Sequence, residues 1–92
     1  MPTASDFERA VKNHWTTAVM QGQAHIDIRS GDLHREVGGY PDSTNHRMPV
    51  CCAVLRRLMQ PEDRIMAQPP KGNGASLVVR YKLPRNHMHR TH

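Results

Sequence analysis

An α+β fold is predicted for this 92-residue chain by three features of its sequence. The periods of its apolar residues predict both helices and strands. Between residues 26 and 83 these segments follow the order strand, short helix, Gly-Gly turn, longer helix and hairpin, with a further helix ahead of them. Positive charge is concentrated in the half that holds the longer helix and the hairpin. This combination is typical of a winged helix-turn-helix with three helices, a short edge strand and a C-terminal β-hairpin wing. We expect one domain over residues 1–85 and a flexible His-rich tail over residues 86–92.

The length and composition of the chain limit its possible functions. A chain of 92 residues has room for one modest core, so large catalytic architectures are not expected. No apolar run approaches the roughly 18 residues that span a bilayer, and we expect no secretory signal segment. The adjacent residues Cys51 and Cys52 cannot close an ordinary disulfide loop. We therefore expect a cytoplasmic protein in a reducing compartment.

The first helix is predicted from a capping box and an apolar face. Ser5 and Glu8 have the spacing at which each side chain satisfies a backbone donor of the first turn. Four apolar residues fall on one helical face: Phe7, Val11, Trp15 and Ala18. Gly22 supplies the stop. We expect this helix to support the core.

A short strand and a short helix follow. Residues 24–28 alternate, with Ile26 and Ile28 pointing one way, which predicts a half-buried edge strand. Ser30 is expected to cap a helix of about two turns that ends at Gly38.

The third helix is predicted over residues 48–60, because Pro49 fits only a first turn and Pro61 lies just beyond the end. Its expected buried stripe is Val50, Ala53, Val54, Leu58 and one of Cys51 or Leu55. Since neighbouring side chains on a helix diverge by about 100 degrees, we expect one cysteine to be buried and the other half-exposed.

A polar, donor-rich segment precedes this helix, and it carries the candidate base contacts. In helix-turn-helix proteins the N-terminal end of the recognition helix enters the major groove, where Arg pairs with guanine and Asn with adenine. Asn45, His46 and Arg47 are therefore the candidate base readers. The alternative is that Thr44 or Asn45 only caps the helix and that Arg47 is only a solvated charge.

The last element is a hairpin closed by Lys71-Gly72-Asn73-Gly74. Its first strand is predicted over residues 65–68. On the return strand one face is apolar, with Leu77, Val79, Tyr81 and Leu83, and the other carries Val78, Arg80 and Lys82. A glycine-rich tip allows the backbone to approach phosphate, with Lys71 supplying charge.

The charge distribution supports a nucleic-acid partner. Residues 1–42 hold four basic and six acidic side chains, whereas residues 43–92 hold nine basic and two acidic ones. A one-sided cationic surface gains affinity for DNA by releasing condensed counterions. The candidate backbone contacts are Thr44, Arg56, Arg57, Lys71, Asn73, Arg80 and Lys82. For Arg56, Arg57 and Lys71 the alternative is a solvated surface residue.

Five runs of residues resemble a small bacterial and phage family of winged-helix-like proteins, some of them similar to modules joined to nucleases. These runs are Ile26-Asp27-Ile28, Gly31-Asp32-Leu33-His34, Gly38-Gly39-Tyr40-Pro41, residues 46–52 and residues 72–84. The resemblance covers about residues 5–85. It implies DNA association without chemistry of its own, and no catalytic residue is carried over from it.

Two function classes remain open. The first is a non-catalytic regulator of double-stranded DNA, either transcriptional or related to phage and defence, acting with or without dimerisation. The second is a protein-interaction module on the same fold, such as a phage-encoded factor that docks on a host nucleic-acid-processing complex. Neither an enzyme nor a metal site is expected, because the seven histidines and two cysteines lack the spacing of a nuclease or zinc motif. No cofactor is expected.

Overall fold

The computed structural model describes residues 3–38, 48–70 and 74–85. These residues form an α+β fold, compatible with a winged-helix-like layout, in which three helices accompany a three-stranded antiparallel sheet. The helices are α1 (Ala4–Met20), α2 (Ser30–Gly38) and α3 (Met48–Arg57), and the strands are β1 (His25–Arg29), β2 (Arg64–Ala67) and β3 (Val78–Lys82). Within the described ranges, no helix is long and apolar enough to cross a bilayer.

The sheet has the strand order β1-β3-β2, so β3 is central and β1 lies at an edge, as predicted. Asp27 and Ile28 of β1 lie opposite Arg80 and Val79 of β3. On the other side of β3, β2 forms the predicted hairpin, with a register shift between Ile65 and Ala67. Because partners directly across a ladder point to the same face, this register fixes which charged side chains are neighbours.

The core lies between one face of the sheet and the helices. Tyr81 is fully buried, its ring packs edge-on against Trp15 with centroids 5.1 Å apart, and its hydroxyl donates to the Leu55 carbonyl at 2.6 Å. A buried aromatic ring of this kind contributes about 1.5–3 kcal/mol through burial of apolar surface. The predicted inward residues of the return strand, Leu77, Val79, Tyr81 and Leu83, are all buried.

The capping box of α1 lies two residues earlier than predicted. Thr3 accepts a hydrogen bond from the Asp6 N–H, and the Asp6 carboxylate accepts one from the Thr3 N–H at 2.8 Å. The predicted box of Ser5 and Glu8 is not formed, and Glu8 instead pairs with Lys12 and Arg57. The predicted buried face and the stop are confirmed: Gly22 has a φ of 77°, which favours glycine.

Ser30 is the first residue of α2 rather than its cap. Its hydroxyl donates to the carbonyl oxygen of Gly74 and thus joins the helix to the hairpin.

The buried stripe of α3 is rotated from the predicted one, and the helix ends three residues earlier than residue 60. Met48, Cys51, Cys52, Val54 and Leu55 are buried, Val50 and Leu58 are half-buried, and Ala53 is exposed. Helix neighbours cover one side of α3, and residue Gly74 of the hairpin covers Cys52, so both thiols are buried. Burial raises the pKa of the Cys51 thiol to about 12.

A buried ion pair closes the core. Arg85 is 2 % exposed, and its Nη1 lies 2.7 Å from each carboxylate oxygen of Asp63. Its guanidinium stacks 4.4 Å above the Trp15 ring. Asp63 also accepts hydrogen bonds from the backbone N–H groups of Gln60 and Lys82. These contacts hold the end of β3 against the chain that follows α3.

Candidate nucleic-acid interface

The loop of the hairpin and the first half of α3 are in direct contact. The Gly74 N–H donates to the Cys52 sulfur at 3.4 Å, and the Cys52 thiol lies 3.4 Å from the Gly74 carbonyl. The Ser30 N–H donates to the Leu77 carbonyl at 2.8 Å. The N-terminus of α2, the first two turns of α3 and the start of the return strand therefore form one junction, in which Gly74 is the common residue.

Glycine is required at the α2 side of this junction. The Gly31 N–H donates to the Ala75 carbonyl at 3.0 Å. A Cβ atom placed on Gly31 would lie 2.9 Å from both the Cβ and the carbonyl oxygen of Ala75, closer than such atoms normally approach. The junction is thus built on backbone packing that a larger residue would displace.

The candidate base readers Asn45, His46 and Arg47 lie outside the described residues, as do the candidate backbone contacts Thr44, Lys71 and Asn73. The described residues that flank them are Met48 at the start of α3 and Gly74 in the hairpin loop. Cys52 follows Met48 by four residues, about 6 Å of helix rise, and Gly74 contacts Cys52 directly.

The α3 arginines are at the opposite end of that helix. Arg57 is exposed, and its Nη2 lies 2.8 Å from the Glu8 carboxylate of α1. Glu8 also contacts Lys12 at 2.9 Å. Hydrogen bonding and charge from Lys12, followed by those from Arg57, lower the pKa of Glu8. Arg56 is half-buried.

Arg80 and Lys82 point away from α3. Both lie on the outer face of the sheet, whereas their neighbours Val79 and Tyr81 face the helices. Arg80 forms two hydrogen bonds to Asp27, at 2.7 Å from Nε and 3.1 Å from Nη2. These bonds lower the pKa of Asp27. Lys82 is exposed.

The charge segregation of the sequence is therefore partly cancelled in space. Acidic residues of the first half neutralise cations of the second half through the pairs Glu8–Arg57 and Asp27–Arg80. The four described candidate backbone contacts do not form one surface, because two lie on α3 and two on the outer face of the sheet. Sequence reasoning also missed Arg64, which pairs directly across from Arg80. Arg64 could have been found from its position, because it is a basic residue directly before the strand predicted over residues 65–68.

Two of the three described histidines have structural contacts. His34 is fully buried with its ring centroid 5.4 Å from that of Phe7, and His14 joins α1 to α2 by a 2.7 Å contact with Glu36. Within residues 3–38, 48–70 and 74–85, no group of three or more metal-binding side chains is arranged to hold a metal ion.

Comparison with protein-family models, curated proteins and solved structures gives no match to this chain. The resemblance to winged-helix proteins stays a prediction, and function has to be inferred from the geometry.

Proposed function

We propose that this protein binds double-stranded DNA without catalysing a reaction, using a winged helix-turn-helix fold. The N-terminal end of α3 occupies the major groove, and the hairpin tip contacts the phosphate backbone. The observation that supports this most directly is the Cys52–Gly74 contact, because Gly74, which follows residues 71–73, meets α3 only about 6 Å of helix rise from Met48, which follows residues 44–47. A helix end and a wing have to share one side to contact one duplex.

In this proposal each residue type has a distinct role. Asn45, His46 and Arg47 contact base edges, where a good bidentate pair discriminates by about 1–3 kcal/mol. Lys71 and Asn73 contact backbone phosphates, which sets position and affinity but carries no sequence information. The junction at Gly74 joins the hairpin loop to α3, next to the segments that carry the two sets.

A duplex titration at two salt concentrations tests the proposal. Each phosphate contact makes affinity fall by about 3.5-fold between 50 and 200 mM salt, so six contacts predict a fall of about 10³-fold or more. Lys71→Ala should weaken binding to all DNA sequences and reduce the slope of log affinity against log salt concentration by the share of about one phosphate contact. Arg47→Ala should instead remove the preference for particular DNA sequences. Arg9→Ala is the matched control, since Arg9 is an exposed cation on α1. Absence of binding at 50 mM salt would contradict the proposal.

A second candidate, the protein-interaction module, is favoured by the exposed edge strand β2. All four of its residues are exposed, and Ile65 and Met66 leave 38 % and 46 % of their surface accessible. An edge strand offers unpaired backbone groups to which an extended segment of a partner can add. If duplex DNA does not bind at low salt, this candidate replaces the first.

A further inference from the structure

The outer face of the sheet concentrates positive charge on adjacent strands. Arg64 of β2 and Arg80 of β3 lie directly opposite each other, and Lys82 follows two residues along β3, opposite His25 of β1. Together with Met66 these four side chains line a shallow cavity of about 330 Å³. Like charges directly across a ladder are unfavourable for the sheet. The Arg64–Arg80 pair is therefore present although it does not stabilise the folded state.

Asp27 orients Arg80 without using up its donors. The carboxylate accepts from Nε and Nη2 of Arg80, which accounts for two of the five N–H groups of a guanidinium. The remaining three N–H groups stay available to a ligand. An arginine already held in one rotamer loses less conformational entropy when it binds an anion.

Arg64 and Lys82 retain uncompensated charge. Both are exposed, and among the described parts of the chain neither forms an ion pair. Glu62 also borders the cavity, so the anion has to lie toward the Arg64–Arg80–Lys82 side. Asp27 compensates Arg80 but not Arg64, so Arg64 breaks the cross-strand charge rule without a compensating ion pair among the described residues, and a functional reason is expected.

We propose that this outer face, through Arg64, Arg80 and Lys82, binds the phosphate backbone of a nucleic acid. The cations are spread along and across strands, with about 4.8 Å between strands and about 7 Å between alternate residues. Such a spread matches an extended ligand with repeated charges better than a single anion. The large aromatic residue of β3, Tyr81, points into the core, so this face contacts backbone and does not stack bases.

This inference rests on the proposed function for the class of ligand, a nucleic acid, but it uses residues on a different face. It adds a sequence-independent contact surface to the one at the α3 end. Substitutions on this surface and substitutions of Arg47 and Lys71 should therefore weaken nucleic-acid binding independently of each other.

The test compares two double variants of the full chain, Arg64→Ala/Lys82→Ala and Arg9→Ala/Arg35→Ala, by fluorescence anisotropy with a mixed-sequence duplex. Both remove two exposed cations, so a general charge effect is the same in each. Removing two phosphate contacts should lower affinity about 60-fold at 100 mM salt and reduce the log–log salt slope by about 1.8. The control variant should lose less than about threefold. Equal losses in the two variants would overturn the inference, provided that circular dichroism shows both to be folded.

A third variant, Arg47→Ala/Lys71→Ala, distinguishes failure of this inference from failure of the proposed function. If it alone weakens binding, the α3 end is the site and the outer-face inference is wrong. If only Arg64→Ala/Lys82→Ala weakens binding, the outer face stands and the α3 assignment is wrong. If pyrophosphate binds at this face more tightly than duplex does, the ligand is a small phosphorylated molecule and the inference is also wrong.

Discussion

Val79 and Tyr81 on the inner face of β3 and Arg80 and Lys82 on its outer face are held in place by different forces. The inner pair is fully buried against the helices, and the Tyr81 hydroxyl is satisfied by a backbone carbonyl. On the outer face Arg80 is held by one exposed carboxylate, and Lys82 is solvated. The polar group of the inner pair therefore has its partner within the chain, whereas Lys82 on the outer face forms no ion pair among the described residues. This difference indicates that the inner face determines the fold and that the outer face is available for a ligand.

The ion pair on the inner side should give the largest effect. Asp63→Ala removes the carboxylate from Arg85, which is 2 % exposed and would remain buried without its counter-charge. Breaking a buried pair from one side typically lowers the free energy of unfolding by about 3–5 kcal/mol. Urea unfolding followed by circular dichroism measures the loss. The double variant Asp63→Ala/Arg85→Met should recover part of it, because it removes the orphaned charge. A loss below about 1 kcal/mol in the single variant would show that water compensates Arg85.

The junction between α2 and the hairpin should give the next largest effect. Gly31→Ala places a Cβ atom 2.9 Å from the backbone oxygen of Ala75, which has to move. Overpacking of this kind costs about 1–3 kcal/mol of stability. Gly74→Ala, in the same junction, is the comparison variant: its Cβ would meet side-chain atoms of Pro69 at 3.2 and 3.3 Å and no backbone atom, so it should lose less stability. If the two glycine variants lose the same stability in thermal unfolding, the close approach at Gly31 is not the cause.

The inner face was largely predictable from sequence, because the alternation of apolar residues over residues 77–83 indicates which side chains face the core. The ion pair was not predictable. Burial of Arg85 depends on Trp15 and Tyr81 being brought together from distant parts of the chain, and neither spacing nor composition encodes that. The rotated stripe of α3 has a similar origin, since Gly74 covers Cys52 through a contact that links residues 22 apart.

The candidate site was predictable only in part. A basic return-strand face follows from the alternation of Arg80 and Lys82 with apolar residues. The separation of Arg80 and Lys82 from α3 does not follow from the sequence, because it depends on which face of the sheet the helices cover. The pairing of Arg64 with Arg80 depends on the hairpin register, and a bulge between Ile65 and Ala67 alters that register in a way that turn residues alone do not specify.

The exposed ion pair should give a much smaller effect than the buried one. Asp27→Asn removes a pair whose side chains are 41 % and 39 % exposed, so solvent screening limits its contribution to about 0.2–1 kcal/mol. Hydrogen bonds from Arg80 lower the pKa of Asp27 in the folded state. The stabilisation is therefore complete above the unfolded pKa near 4 and is lost as the pH falls through the lower folded pKa. Urea unfolding of both proteins at pH 7 and pH 2.5 checks this: the difference between them should shrink at the lower pH, and a constant difference would contradict the assignment.

Arg64→Ala should change stability by as little as Asp27→Asn does, but in the opposite direction. Removing Arg64 relieves the like-charge contact with Arg80, which should raise the free energy of unfolding by about 0.2–1 kcal/mol. The gain should disappear in 1 M salt, where charges are screened within about 3 Å, and Arg35→Ala on α2 should not reproduce it. If the same substitution raises stability and weakens nucleic-acid binding, Arg64 is present for binding at the expense of folding. A loss of stability at low salt would instead mean that contacts of Arg64 outweigh its repulsion from Arg80. The outer face would then stabilise the fold, as the inner face does.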